Sequence, residues 1–241
     1  MSKKTGVIKD LKVVILREWA SSIHNDVNLS PRHLHFIHIK SGSCKVRIQT
    51  QQRRLEEGDI IVIYRKQHFE ILDEDVAQIE SISVRKKFLS SFCSSVNNKE
   101  KIFTVDETVL KDHKLVPVSF QLVFRTLRTG LEKQFSIELL EELLIHVFKS
   151  NKNLNLAETK LSKIKASIKT RESEPIKLNI LADNFLISKL KLVKGFIKYV
   201  GVTPHMYQIL YLSEKENLPN FLQEMIKYGQ IPEMLKSLVK N

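Results

Sequence analysis

The chain has 241 residues, enough for one large domain or two modest ones, each with its own core. A composition 42% hydrophobic and 27% charged excludes a disordered chain. The formal net charge of +12 favours a polyanionic partner, nucleic acid being the commonest, over the plainer reading of a basic, solvated surface. Cys44 and Cys93 lie far apart in no metal-like spacing and read as reduced thiols. The first twelve residues are charged and mixed, without a secretory apolar core, and no apolar run approaches a membrane span. A cytoplasmic protein without a membrane partner is expected.

The first third reads as strands. Val13, Val14, Ile15 and Leu16 form a β-rich run. Residues 33–40 lead through Ser41, Gly42 and Ser43 into 44–48, where Val46 and Ile48 share one face and Lys45 and Arg47 the other. A turn at Glu57, Gly58 and Asp59 feeds the continuous apolar strand 60–64. Residues 68–72 and 76–84 complete a set of short strands that predicts a barrel or sandwich.

Helical spacing begins at Phe88, Leu89 and Phe92. A helix over 118–131 is expected to bury Leu122, Val123, Leu127 and Leu131 and to end at Gly130. Ser136 is the expected N-cap of a helix over 137–149, with Glu138, Glu141 and Glu142 near its positive end. That helix is apolar on several faces: Ile137, Leu140, Leu144 and Val147 on one, Leu139, Leu143 and Phe148 on others. Two readings stand open for it: a dimerisation surface on Ile137, Leu140, Leu144 and Val147, or a helix fully buried in a monomer. The polar, Asn-rich stretch 150–157 reads as a linker, which divides the chain into 1–150 and an all-helical 151–241.

Within 176–208, Leu178, Leu181 and Ala182 mark a short helix. Ser188 caps the next one, which runs to about Val200, and Gly201 stands where a left-handed residue ends a helix. Thr203 and Pro204 form an N-cap followed by proline at N1. Two short helices with a tight junction make a helix-turn-helix. The residues Leu181-Ala182, Ile187-Ser188, Leu192, Lys194, Phe196, Lys198, Gly201-Val202-Thr203-Pro204 and Tyr207 resemble the first helix-turn-helix of AraC/XylS regulators. More loosely, His35 to Gly42, Gly58-Asp59 and His68 resemble that family's cupin-like arm. The resemblance implies an α+β protein. Residues 1–150 would form a cupin-like β-barrel with a helical dimerisation segment that senses a small effector. Residues 151–241 would form a helix-turn-helix domain that binds double-stranded DNA, in a homodimer that regulates transcription, as an activator in contact with RNA polymerase. No cofactor and no catalytic residues are implied.

Three departures from the family pattern matter. Residues 231–239 resemble only the opening helix of the family's second helix-turn-helix, and its recognition helix is missing from the sequence. The positions matching base readers carry Leu190, Val193 and Lys194; apolar side chains touch thymine methyls but make no bidentate bonds. With Leu192, Phe196 and Tyr199 on the core face, the expected DNA face comprises Ser188, Lys189, Leu190, Lys191, Val193, Lys194, Ile197 and Lys198, its lysines serving mainly phosphates. The turn's usual glycine is Leu186, where a left-handed backbone is strained, and the family's arginine is Lys194, a point charge rather than a planar fork.

The alternative function is a shortened regulator that pairs with a full-length relative, motivated by the incomplete second unit and the apolar Leu190, Val193 and Ile197. A metal-dependent cupin enzyme rests on His33, His35 and His68 alone; no Glu stands between His35 and Gly42, and ordinary strand histidines are the favoured reading. No Ser/His/Asp signature or phosphate-binding glycine loop occurs.

Overall fold

A computed structural model describes residues 6–21, 29–64, 67–72, 76–96, 105, 110, 114–130, 133–149, 155–215 and 223. The chain divides into two compact units, Met1–Lys101 and Ile102–Asn241.

The first unit holds β1 (Gly6–Asp10), β2 (Val14–Ala20), β3 (Leu34–Ser41), β4 (Ser43–Ile48), β5 (Gln51–Glu56), β6 (Ile60–Tyr64), β7 (Phe69–Ile71), β8 (Gln78–Val84) and α1 (Lys86–Val96). The strands pair antiparallel in two sheets, ordered β1-β2-β8-β3-β6 and β5-β4-β7. Strand alternation assigns the faces. Ile37, Ile39, Cys44, Val46, Leu55, Ile61, Ile63, Phe69, Ile71 and Ile79 converge on one core from both sheets. Val14, Leu16, Leu34, Phe36, Ile82 and Val84 make a second buried layer on the other face of the larger sheet. Gly42, at φ +77°, carries the chain from one sheet to the other; a Cβ there would stand 2.3 Å from the Val76 carbonyl oxygen. β1 and β5 are absent from the strands read in the sequence. β5 is exposed at every position but Leu55 and has no apolar alternation; its pairing with β4 across the short turn at Gln49, φ +57°, makes it a strand.

The second unit holds α2 (Leu115–Thr129), α3 (Lys133–Val147), α4 (Glu158–Lys169), α5 (Leu178–Asn184), α6 (Lys189–Val200) and α7 (Pro204–Ser213). α2 ends at Gly130, φ 77°, as its sequence predicts, although it starts three residues before the expected 118; Leu131 lies outside the described residues. α3 departs further. It begins at Lys133, so Ser136 is a buried interior residue rather than an N-cap, and Glu138 and Glu142 are buried mid-helix.

Two expectations are corrected here. The boundary between units falls at Lys101, not at 150, because α2 and α3 pack on each other and α3 also packs on α6. The proposed dimerisation stripe is interior: Leu140, Leu144 and Val147 have no exposure at all, and Ile137 is half-buried. Leu139, Leu143 and Phe148 are buried too, so the fully buried helix is the reading that fits. Residues 150–154 of the expected linker and the partial second helix-turn-helix, 231–239, lie outside the described residues.

Candidate nucleic-acid interface

α5, α6 and the turn between them form as the local sequence dictates. α5 is short because its last turn folds back: the Phe185 and Ile187 amides both donate to the Ala182 carbonyl, at 3.3 and 3.0 Å. Leu186 stands in the turn at φ +52° with its side chain 91% exposed. A left-handed leucine costs about 1–2 kcal/mol, and the exposed side chain returns nothing through packing. Leu186→Gly is therefore expected to stabilise the unit by about 0.5–1 kcal/mol after the glycine's greater chain entropy is subtracted. The check is the urea midpoint by circular dichroism; a lowered midpoint would mean that the leucine makes a favourable contact.

Ser188 caps α6, its side chain accepting from the Lys191 amide at 3.2 Å. Gly201, at φ 90°, closes it with its amide on the Ile197 carbonyl at 2.9 Å. Thr203 caps α7, with Pro204 in its first turn. Leu192 and Phe196 are fully buried, and Phe196 meets the Tyr207 ring edge-on at 5.5 Å between centroids.

The expected DNA face is split in two. Leu190 is buried and Val193 has no exposure. By helical position both lie between Lys189 and Lys194, the residues of α6 that bond to α3. The Lys189 ammonium pairs with Glu141 of α3 at 2.9 Å, and the Lys194 ammonium donates to the His146 and Phe148 carbonyls at the end of α3, at 3.0 and 2.7 Å. Those carbonyls are at the negative end of the helix, so the Lys194 ammonium there acts as a C-terminal cap. The sequence reading of Leu190 and Val193 as open to bases is thus corrected: both are buried, on the side of α6 that bonds to α3. Tyr199, expected in the core, is 43% exposed. Ser188 and Lys198 are exposed, and Lys191 and Ile197 are half-buried. Lys191, Lys194 and Lys198 share one face at spacings of three and seven. Lys198 also donates to Asn155 Oδ1 at 2.6 Å.

α3 holds the flanking helices as well. Its Glu138 accepts the first amide of α5, Leu178 N, at 2.8 Å. Its Glu142 accepts from His205 in α7 twice, from Nδ1 at 2.8 Å and from the backbone amide at 3.1 Å, and receives the Thr203 hydroxyl on its other oxygen. His205 Nε2 donates to the Ile176 carbonyl at 2.9 Å, with Glu138 Oε2 at 3.4 Å. His205 is fully buried; burial alone would lower its pKa, but the Glu142 charge and the Glu138 hydrogen bond raise it to about 10. Burial would raise the Glu138 carboxyl; the hydrogen bond to His205, that ring's charge, and bonds from the Leu178 amide and Gln134 together outweigh it and lower the pKa. Two carboxylates one turn apart thus sit at the positive ends of α5 and α7 and share one imidazolium. Sequence reasoning missed this cluster; its signal was an acidic i, i+4 pair, Glu138 and Glu142, in a helix that is apolar on several faces.

The three histidines considered as metal ligands, His33, His35 and His68, do different jobs. His35 Nε2 donates to the Ser30 carbonyl at 2.9 Å, so Nδ1 accepts from the Ser83 hydroxyl at 2.8 Å, and Arg17 donates to that hydroxyl at 3.1 Å. Burial pushes its pKa down to about 4. A neutral imidazole with both nitrogens engaged has no lone pair to give a metal. Burial also lowers the His33 pKa, helped by Arg85 and Arg17, and its buried Nδ1 has no partner among the described residues. The His68 side chain is 63% exposed, 3.9 Å from Glu70. His33, His35 and His68 border a cleft of about 250 Å³ with Leu29, Ser30, Pro31, Ile63 and Gln67. Among the described residues no three His, Cys, Asp or Glu side chains are grouped to hold a metal ion, and no helix is long and apolar enough to cross a membrane.

No protein-family model matches the chain. No curated protein sequence matches it either. Solved structures with partial likeness include a conserved double-stranded β-helix protein of Klebsiella pneumoniae, at 13% identity over 36% of this chain and 82% of that one, TM-score 0.32. A cupin protein from Bacteroides fragilis shares 16% identity over 31% of this chain and 68% of that one, TM-score 0.28. The EutQ protein of Clostridium difficile shares 12% identity over 31% of this chain, which spans 58% of that protein's length, TM-score 0.27. Likeness this partial leaves the fold to be described by the chain's own strand order, a two-sheet antiparallel β unit followed by helices.

Proposed function

We propose that the protein is a non-catalytic, DNA-binding transcription regulator of the AraC/XylS type, in which α5 to α7 carry the DNA contact. The observation behind this reading is a capped helix-turn-helix whose second helix bears Lys191, Lys194 and Lys198 on one face. Residues 155–215 contain eleven lysines and arginines against five acidic residues, a balance suited to a phosphate backbone. The mainly apolar reader positions favour phosphate affinity over base choice. The cleft beside His33 is small for a ligand site, just below the usual range of roughly 300–1,000 Å³, and suits an effector of a few heavy atoms. The homodimer uses a surface other than Leu140, Leu144 and Val147, which are buried.

Fluorescence anisotropy with random duplex DNA at several salt concentrations tests the reading on the full chain. Affinity is expected to fall steeply with salt. The Lys191→Ala/Lys198→Ala double variant should bind more weakly, with a salt slope shallower by about two. Absence of binding at the lowest salt, by the natural chain and by Glu141→Gln alike, would remove DNA as the partner. The second reading, a modulator that pairs with another regulator, is favoured by one observation: α6 already uses Leu190 and Val193 for a protein contact. Co-purification with a full-length regulator and no DNA binding is its expected signature.

A further inference from the structure

The oxygens that meet the reader helix are α3's own. Lys189 faces the Glu141 carboxylate at 2.9 Å, with only 11% and 17% of the two side chains exposed. Lys194 holds two carbonyl oxygens at the end of α3. Between these two polar contacts, Leu190 and Val193 are buried. Anionic and carbonyl oxygens bracketing a buried apolar pair reproduce what a DNA groove offers this face: phosphate oxygens at its edges and thymine methyls between. A duplex and α3 therefore compete for the same side chains, since neither Leu190 nor Val193 can reach a base while α3 lies on them.

We infer that α3 is an autoinhibitory cover on the reader helix, and that DNA binding requires α3 to leave Lys189, Leu190, Val193 and Lys194. The inference rests on the reading of this helix-turn-helix as a DNA-binding element, and adds how that element is controlled. Glu141 is the suitable point of attack. It belongs to the cover, it touches the reader through Lys189, and it takes no part in the buried Glu138, Glu142 and His205 cluster. Any signal that draws α3 away acts as an activator, because it frees two cations and the apolar pair together.

The experiment joins two measurements on the full chain, Glu141→Gln against Glu158→Gln, a control of equal charge change at an exposed site on α4. The first is affinity for random duplex DNA by anisotropy. The second is the rate at which a maleimide labels Val193→Cys, in a background with Cys44→Ala and Cys93→Ser. The cover predicts that Glu141→Gln raises DNA affinity about tenfold, since a charge-assisted hydrogen bond is lost, and speeds labelling, while Glu158→Gln does neither. Unchanged affinity with unchanged labelling overturns the cover: α3 is then a fixed part of the unit, and any DNA binding that persists uses another face. Faster labelling without DNA binding by any form leaves α3 movable but overturns both autoinhibition and the DNA reading. Higher affinity without faster labelling overturns the cover and keeps the DNA reading.

Discussion

Glu142→Leu is expected to destabilise the C-terminal unit by about 3–5 kcal/mol, the range found when one partner of a buried ion pair is removed. The Glu142 carboxylate is nearly inaccessible and accepts from the His205 ring, the His205 amide and the Thr203 hydroxyl. Its loss strands an imidazolium in the core with Glu138 as the remaining counter-charge, and leaves the start of α7 without its acceptor. A domain has only about 5–15 kcal/mol of total stability, so this change takes a large share. Urea unfolding followed by far-ultraviolet circular dichroism, which reports mainly the helices, is the measurement. Trp19, the chain's one tryptophan, sits in β2 and gives an independent signal from the first unit. Its transition should stay in place. The double variant Glu142→Leu/His205→Leu should be less damaged than the sum of the two single changes, because the charge and its partner leave together. A loss under 1 kcal/mol in Glu142→Leu would mean that water reaches the cluster.

What was legible in the sequence follows from where the determining forces are local. Ser188, Gly201, Thr203 and Pro204 act on backbone groups within one turn of themselves, so their roles are those the sequence predicts. Strands with an apolar face, such as β6, declare themselves for the same reason. β5 does not, because its strand state comes from β4. The larger misreading concerned α6. Helical periodicity placed Leu190 and Val193 opposite the core of the three-helix unit, but periodicity carries no information about a helix forty residues earlier in the chain. The apolar character of those positions was the clue that something protein-like covers them. α3 carried the complementary clue: an excess of apolar faces, which a buried helix needs and a dimer helix on a barrel does not.

Opposite responses to pH are expected from the two units. His205 has its pKa raised to about 10 in the fold, against an unfolded value near 6.5. Below about 6.5 both states hold the proton and the stabilisation is complete. Between 6.5 and 10 the unfolded chain releases the proton and the fold keeps it, so stability falls by up to about 1.4 kcal/mol per pH unit. His35 has the reverse sign. Its folded pKa is pushed down to about 4, so its contribution is complete above about 6.5 and declines as acid protonates the unfolded chain. The lowered Glu138 pKa adds stability to the second unit that is present above its ordinary value and lost only in stronger acid. From pH 7 to 9 the helical transition in urea should therefore move to lower denaturant while the Trp19 transition holds. From pH 7 to 5 the Trp19 transition should move down while the helical one does not weaken. A helical midpoint that stays flat from pH 7 to 9 would mean that His205 is neutral in the core.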